Sequence, residues 1–484
     1  MNYRMMGRFI GLIVAIEAVL LLPALGISLG YEEAAAVRGF LWTFAAMAVL
    51  GGLLFGFCRK AGRLFGAREG MVCVGVSWVV LSILGCLPFV ISGAIPAFID
   101  AFFEVVSGFT TTGASILSDV EALPKGLLYW RSFTHWLGGM GVLVFLLAIT
   151  PVSGGDKGFT MHLLRAESPG PDVGKLVPKM RHTAVILYGI YILMTVFCFV
   201  FLLAGKMDPF EALCTAFGTA GTGGFGVRND SLASYSPYIQ NVCTVFMFLF
   251  GINFSCYYLL FLRQLRGVFR DEELRLYVGI AVVSVVLISC DIRNLYGTLG
   301  ETVRHAAFQV SSIMTTTGFA TTDFDLWPSF SKAIIMMLMV VGACAGSTGG
   351  GLKCIRVLLL FKILRRNIRL LMNPRKVQVV RSNGKAMDEK VLDNVNAYLA
   401  AYVVIIILSF LLISLDGFST GTNVTAVLAC FNNIGPGLEA VGPTCNFGGF
   451  SVLSKLVLIV DMLAGRLEIF PMLVLISRST WKRK

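Results

Sequence analysis

A chain of 484 residues that is 56% hydrophobic and only 14% charged, with a mean hydropathy of +0.79, falls far below the roughly 25% charge of soluble domains. These figures exclude a soluble enzyme, a disordered chain and a secreted disulfide scaffold, and leave a polytopic membrane protein. The net charge of +12 follows the positive-inside rule once its placement is read, so it argues for no nucleic acid partner.

Ten apolar runs of roughly 20 residues, enough to cross a hydrocarbon core of about 30 Å, follow one another near 8–28, 38–58, 70–92, 128–150, 183–204, 238–262, 275–297, 331–361, 394–415 and 455–477. The first follows Arg4 and Arg8, but it is too long for the core of a signal sequence and a second span comes soon after, so it reads as retained. The predicted class is all-α integral membrane with ten transmembrane helices. Two extra spans occupy 1–69, pore repeat one 70–152, a cytoplasmic loop 153–182, repeat two 183–262, repeat three 275–361, a basic cytoplasmic loop 362–393, repeat four 394–477 and a cytoplasmic tail 478–484.

Loop charges orient these spans. Arg59, Lys60, Arg63 and Arg68 follow the second run, Lys175, Lys179 and Arg181 precede the fifth, and Arg263, Arg266 and Arg270 follow the sixth, all on one side. The basic stretch 353–390 and the tail fall there too, which makes that side cytoplasmic with both termini inside. The opposite loops lean acidic, with Asp119, Glu121, Asp208, Asp230, Asp323 and Glu439 among them. The twelve cysteines form no CxxC pair and mostly lie in apolar runs, where a thiol is a small hydrophobe.

Between the third and fourth runs stands a moderately apolar stretch too short to cross, 97–109, followed by small residues; the same order returns three more times. A half-length helix that enters and leaves from one face is re-entrant, and lipid tolerates its return backbone only where protein or water lines it. Each short helix ends in a large apolar residue, three further residues and a glycine: Phe109-Thr110-Thr111-Thr112-Gly113, Phe217-Gly218-Thr219-Ala220-Gly221, Met314-Thr315-Thr316-Thr317-Gly318 and Phe431-Asn432-Asn433-Ile434-Gly435. One such pentapeptide reads as an ordinary tight turn. Four of them, with glycines 108, 97 and 117 residues apart, are an internal repeat. Such loops around an axis can turn backbone carbonyls inward to replace the water shell of a cation, while the short helices aim their negative C-terminal ends at the pore. Glycine admits the backbone angles this requires.

With these motifs the chain resembles the Trk/Ktr/HKT superfamily of potassium transporters over nearly its whole length, and the two extra leading spans are those of the bacterial Trk-type branch. The resemblance implies four span, pore helix, span repeats around a central pore, with a filter of one glycine per repeat: Gly113, Gly221, Gly318 and Gly435. Thr110, Thr111, Thr112, Thr219, Ala220, Thr222, Thr315, Thr316, Thr317, Asn433 and Ile434 complete it. Potassium is the ligand implied there, with no cofactor in the chain, and glycine rather than serine in the first repeat favours potassium over sodium. In repeat two the distance from Phe217 selects Gly221, whereas Gly224-Phe225 would align with Gly318-Phe319.

Span eight contains Gly342, Ala345, Gly346, Ser347, Thr348, Gly349, Gly350 and Gly351, too much glycine and small polar residue for a stable helix. By resemblance this is a mobile loop that gates the cavity beneath the filter; close helix packing through small residues is the other reading. Arg466 falls inside the last span, where an arginine costs roughly 2.5 to 3.5 kcal/mol and needs water or a partner. The resemblance makes it an electrostatic barrier in the pore, with Glu468 or Asp461 as a partner; a structural ion pair is the alternative. The same resemblance implies residence in the inner (plasma) membrane among lipids, a homodimer, and a peripheral cytoplasmic nucleotide-binding subunit as regulator. His135, His162, His182 and His305 are scattered and no metal or nucleophile motif occurs, so an integral-membrane enzyme lacks machinery. The competing functions are a broader monovalent cation transporter, carrying sodium or coupling sodium to potassium, and a secondary carrier built on inverted repeats.

Overall fold

The computed structural model describes residues 2–58, 67–141 and 180–481. Among these the regular structure is helical apart from a small antiparallel hairpin, Arg381–Ser382 with Lys385–Ala386, in which Arg381 faces Ala386. Six helical segments are long and apolar enough to cross a membrane: Tyr3–Gly30, Ala34–Phe57, Arg68–Ser92, Ala184–Ala204, Glu272–Asp291 and Glu389–Asp416.

Three further predicted spans are divided rather than continuous. Pro237–Phe250 and Phe254–Phe261 meet at 89°. The run 331–361 becomes Ser329–Val341 and Cys354–Met372 around an irregular stretch. The run 455–477 becomes Val452–Arg466 and Phe470–Ile476, with Glu468 and Ile469 left-handed at the joint. Lys125–Gly139 begins the fourth predicted span; residues 142–150 of that span, the loop 153–179, and Arg59, Lys60 and Arg63 lie outside the described residues. Apolar length alone therefore overcounts continuous spans, and glycines stand at or near the helix ends where the chain packs closely. Gly138 and Gly465 sit so close to the carbonyls of Phe109 and Phe431 that a Cβ would overlap them, and a Cβ on Gly251 would stand 2.8 Å from the Thr315 methyl.

The four short helices are Phe98–Phe109, Pro209–Gly221, Leu299–Met314 and Thr420–Phe431. Twelve residues make about 18 Å of helix, too little for a core of about 30 Å. Asp208, Thr298 and Ser419 cap three of them, their side chains accepting from Phe210 N (2.9 Å), Glu301 N (3.2 Å) and Thr422 N (3.1 Å), which fixes where each begins. Every residue of 101–109 is buried. A helix covered all round is packed by protein, not lipid, so this part of the first short helix lies inside the bundle.

Candidate functional site

The four short helices end alike. Thr111, Thr222, Thr316 and Asn433 are left-handed, at φ 55°, 52°, 59° and 55°. The next residue then donates its amide five positions back: Thr112 to Ser107 (2.9 Å), Gly223 to Gly218 (2.9 Å), Thr317 to Ser312 (2.8 Å) and Ile434 to Ala429 (2.9 Å). This is the Schellman closure of a helix, made here with a side chain where glycine is usual. Each such residue costs about 1 to 3 kcal/mol and persists only where the surroundings impose it. Two residues on, Gly113 (φ 81°), Gly224 (77°), Gly318 (88°) and Gly435 (97°) are left-handed again.

These glycines close a ring. A Cβ on Gly113 would overlap the carbonyl oxygen of Gly223, one on Gly224 that of Thr317, and one on Gly318 that of Ile434; one on Gly435 would stand 2.9 Å from that of Thr112. Each loop abuts the next, and the fourth returns to the first. The carbonyls of Thr111, Thr112, Thr222, Gly223, Thr316, Thr317, Asn433 and Ile434 accept no hydrogen bond from any described residue, yet all eight residues are buried. Buried carbonyls are ordinarily paired. Two tiers of four unpaired acceptors can coordinate a dehydrated cation.

In the second loop the backbone corrects the spacing argument. The helix runs on to Gly221, so Thr219 and Ala220 are helical, and Gly224 holds the position of Gly113, Gly318 and Gly435. The continuation is possible because Gly139 lies so close that its Cβ would stand 2.6 Å from the Gly221 Cα. Gly221 is thus a glycine of helix packing.

Threonine hydroxyls brace the loops. Thr110 and Thr315 donate back to Val106 O (2.7 Å) and Ser311 O (2.6 Å), and each lies 2.8 Å from the hydroxyl of Thr112 or Thr317. Asn433 Nδ2 donates to Thr112 Oγ1 at 2.9 Å and fastens the fourth loop to the first. On one side of the ring is a vestibule of about 130 Å³, floored by Gly113, Gly224, Gly318 and Gly435. Behind it is an ion pair that the sequence reading missed: Arg131 Nε donates to Glu104 at 2.7 Å, both side chains buried. Glu104 also accepts from Ser115 Oγ and Ile116 N, while Arg131 reaches Gly226 O (3.0 Å) and lies 3.5 Å over the Phe225 ring. A carboxylate in a short apolar helix and an arginine in an apolar run were the available signal.

On the opposite side of the ring lies the stretch 342–353. Gly350 N donates to Thr316 Oγ1 (2.6 Å) and Gly351 N to Asn432 O (3.1 Å), so it abuts the third and fourth loops. Several of its carbonyls are held by other parts of the chain. Gly346 O accepts from Phe254 N (3.0 Å), Gly349 O from Lys353 Nζ, and Thr348 O from Arg466 Nη1 (2.8 Å). Gly342, Gly346 and Gly351, at φ 71°, 69° and 77°, give the turns that glycine allows.

Arg466 closes its helix rather than standing within a continuous span. Its guanidinium donates to Thr348 O, to Gly138 O and to Gly139 O (2.7 Å), joining the stretch to the end of the helix Lys125–Gly139. The two carboxylates proposed as its partners are engaged elsewhere: Glu468 receives Arg356, and Asp461 accepts from Ser409 Oγ at 2.7 Å. Among the described residues, no three His, Cys, Asp or Glu side chains gather as a metal site.

A family described as cation transport protein, TrkH, matches residues 37–292 and 294–482. The chain is 37% identical to the Trk system potassium uptake protein TrkH of Escherichia coli strain K12, with 100% of both sequences covered. It is 33% identical to the protein of that name from Halomonas elongata, again over 100% of both. Among solved structures, the crystal structure of the potassium transporter TrkH from Vibrio parahaemolyticus matches with a TM-score of 0.89 and 33% identity, covering 100% of each chain.

Proposed function

Because the chain belongs to the TrkH family of cation transport proteins, a transporter and not an enzyme, we propose that it takes up potassium across the inner membrane through the ring of four loops. The observation that carries this reading is the set of eight buried carbonyls, two from each loop, that no described residue satisfies. Thr111, Thr222, Thr316 and Asn433 supply one tier, and Thr112, Gly223, Thr317 and Ile434 the other. Gly113, Gly224, Gly318 and Gly435 let neighbouring loops approach closely enough for each tier to surround one ion. The helix ends beneath them carry partial negative charge.

Residues 342–351 are the gate on this reading, since they lie against the third and fourth loops on the side away from the vestibule. Arg466 has two linked roles: it holds Thr348 to Gly138 and Gly139, and its charge opposes a cation leaving the ring. A homodimer with both termini cytoplasmic, regulated by a peripheral nucleotide-binding subunit on the basic face, completes the proposal.

The test is flux into liposomes holding the purified protein, with rubidium as tracer for potassium and with sodium and a neutral solute as competitors. Tracer uptake blocked by potassium, and far less by sodium, is expected for the wild type, with that preference lost in Gly113→Ser and Gly224→Ser. Uptake of the neutral solute, or an unchanged preference in both folded variants, would remove the ring from the transport path.

A further inference from the structure

Three consecutive acidic residues stand at the head of the helix Glu272–Asp291, and each is bonded to a different part of the chain. Asp271 Oδ1 caps its own helix by accepting from Leu274 N (2.8 Å), and its Oδ2 accepts from Asn383 Nδ2 (2.9 Å). Glu272 N donates to Asn383 Oδ1 (2.9 Å), and the Glu272 carboxylate receives Lys362 Nζ, which also donates to Arg381 O at 2.7 Å. Glu273 is 5% exposed, and its Oε1 alone accepts from both Ala345 N (2.6 Å) and Ile355 N (3.0 Å). Asn383 is the left-handed tip of the exposed hairpin, while Ala345 and Ile355 stand on either side of the central residues of the intramembrane stretch. One turn of helix therefore joins an exposed hairpin to both shoulders of that stretch.

We propose that Glu273 is the residue that positions the intramembrane stretch, and that the hairpin 381–386 acts on it through Asn383, Asp271 and Glu272. The inference rests on the reading of 342–351 as the gate. A single oxygen holds two buried amides, and hydrogen bonds weaken steeply once bent below about 120°. A small shift of the helix head thus releases both shoulders together. The result is a two-position device rather than a graded one, and a load on the hairpin is a load on that head.

The device is tested on full-length protein in liposomes by two readouts: tracer flux, and labelling of native Cys344 by a charged methanethiosulfonate reagent, followed by peptide mass. Cys344 is 1% exposed and becomes reachable when the stretch lifts. Glu273→Ala is expected to speed Cys344 labelling about tenfold and Asn383→Ala about threefold, from the charge-assisted bonds each removes. The double variant is expected to label no faster than Glu273→Ala alone, and Glu273→Gln, which keeps an acceptor, to fall between wild type and Glu273→Ala. Wild-type labelling in Glu273→Ala overturns the positioning role. Effects that multiply in the double variant overturn the link to the hairpin. If Glu273→Ala does not assemble, Glu273→Gln with Asn383→Ala carries the same comparison. Faster labelling with unchanged flux sustains the positioning role and overturns the gate reading instead.

Discussion

The ring of four loops and the stretch 342–353 meet the same difficulty, irregular backbone away from bulk water, and resolve it in opposite ways. In the ring, the amides of 112, 223, 317 and 434 are satisfied by the preceding helix turn and the hydroxyls of Thr110 and Thr315 pair with those of Thr112 and Thr317, while the carbonyls of 111–112, 222–223, 316–317 and 433–434 stay unpaired among the described residues. In the stretch, two carbonyls are held by charged donors, Gly349 by Lys353 and Thr348 by Arg466. Unpaired carbonyls suit a ligand that arrives and leaves; carbonyls held by cationic side chains suit a plug. The charged residues of the ring stand behind it, Glu104 and Arg131, where they set loop shape without occupying the axis.

The comparison is most severely tested by removing the support behind the ring. Arg131→Met strands the Glu104 carboxylate in a fully buried site, a loss of about 3 to 5 kcal/mol. Thermal unfolding should show it, and adding Glu104→Gln to the same chain should recover part of the loss. An undiminished melting temperature in Arg131→Met would mean that the pair does not hold the first loop.

Next in size is the contrast between two glycines of one loop. Gly224→Ser places a side chain in the left-handed region and against Thr317, at about 1 to 3 kcal/mol, and should lower the ratio of potassium to sodium flux. Gly221→Ala meets the His135 carbonyl inside a helix contact and should lower stability while leaving that ratio intact. The reverse outcome would restore Gly221 as the residue of the ring.

Arg466→Gln weakens the stretch instead. It withdraws donors from Thr348, Gly138 and Gly139 without stranding either Glu468 or Asp461, each of which keeps its own partner, so stability should fall by about 1 to 3 kcal/mol while basal flux rises. Deleting 346–350 should raise basal flux as well. Stability that falls with flux no greater than wild type would leave Arg466 as scaffold only.

The smallest effect belongs to Glu439, in the loop that follows the helix Thr420–Phe431. Hydroxyls of Ser419 and Thr422 bond its carboxylate and hold it below the usual range. A depressed folded value stabilises above the unfolded one and is lost as pH falls through the folded one, so stability should decline from about pH 5 downward. Glu439→Gln should flatten that part of the pH profile. An identical acid profile in the variant would show that the contact contributes nothing.

What the sequence determined by itself was local or repeated. Composition set the membrane class, and the interval from a large apolar residue to a glycine located Gly113, Gly318 and Gly435, because in those three repeats the helix stops where its apolar face stops. Glycine density likewise marked 342–351 as unable to stay helical. What only tertiary structure decided was long-range. The second helix extends to Gly221 because Gly139 leaves it room, and no count from Phe217 contains that fact. Gly251 and Gly465 stand at joints because their backbones lie against Tyr277 and Thr315 in one case and Phe431 in the other, whereas in sequence one glycine looks like any other within an apolar run. Arg131 lies 27 residues from Glu104, and the partners of Arg466 and Glu273 lie 72 to 328 residues away. Periodicity reads a chain one turn at a time, whereas a buried charge takes whichever carbonyl or amide the packed fold brings within about 3 Å, and that choice exists only once the four loops and the helices around them have packed together.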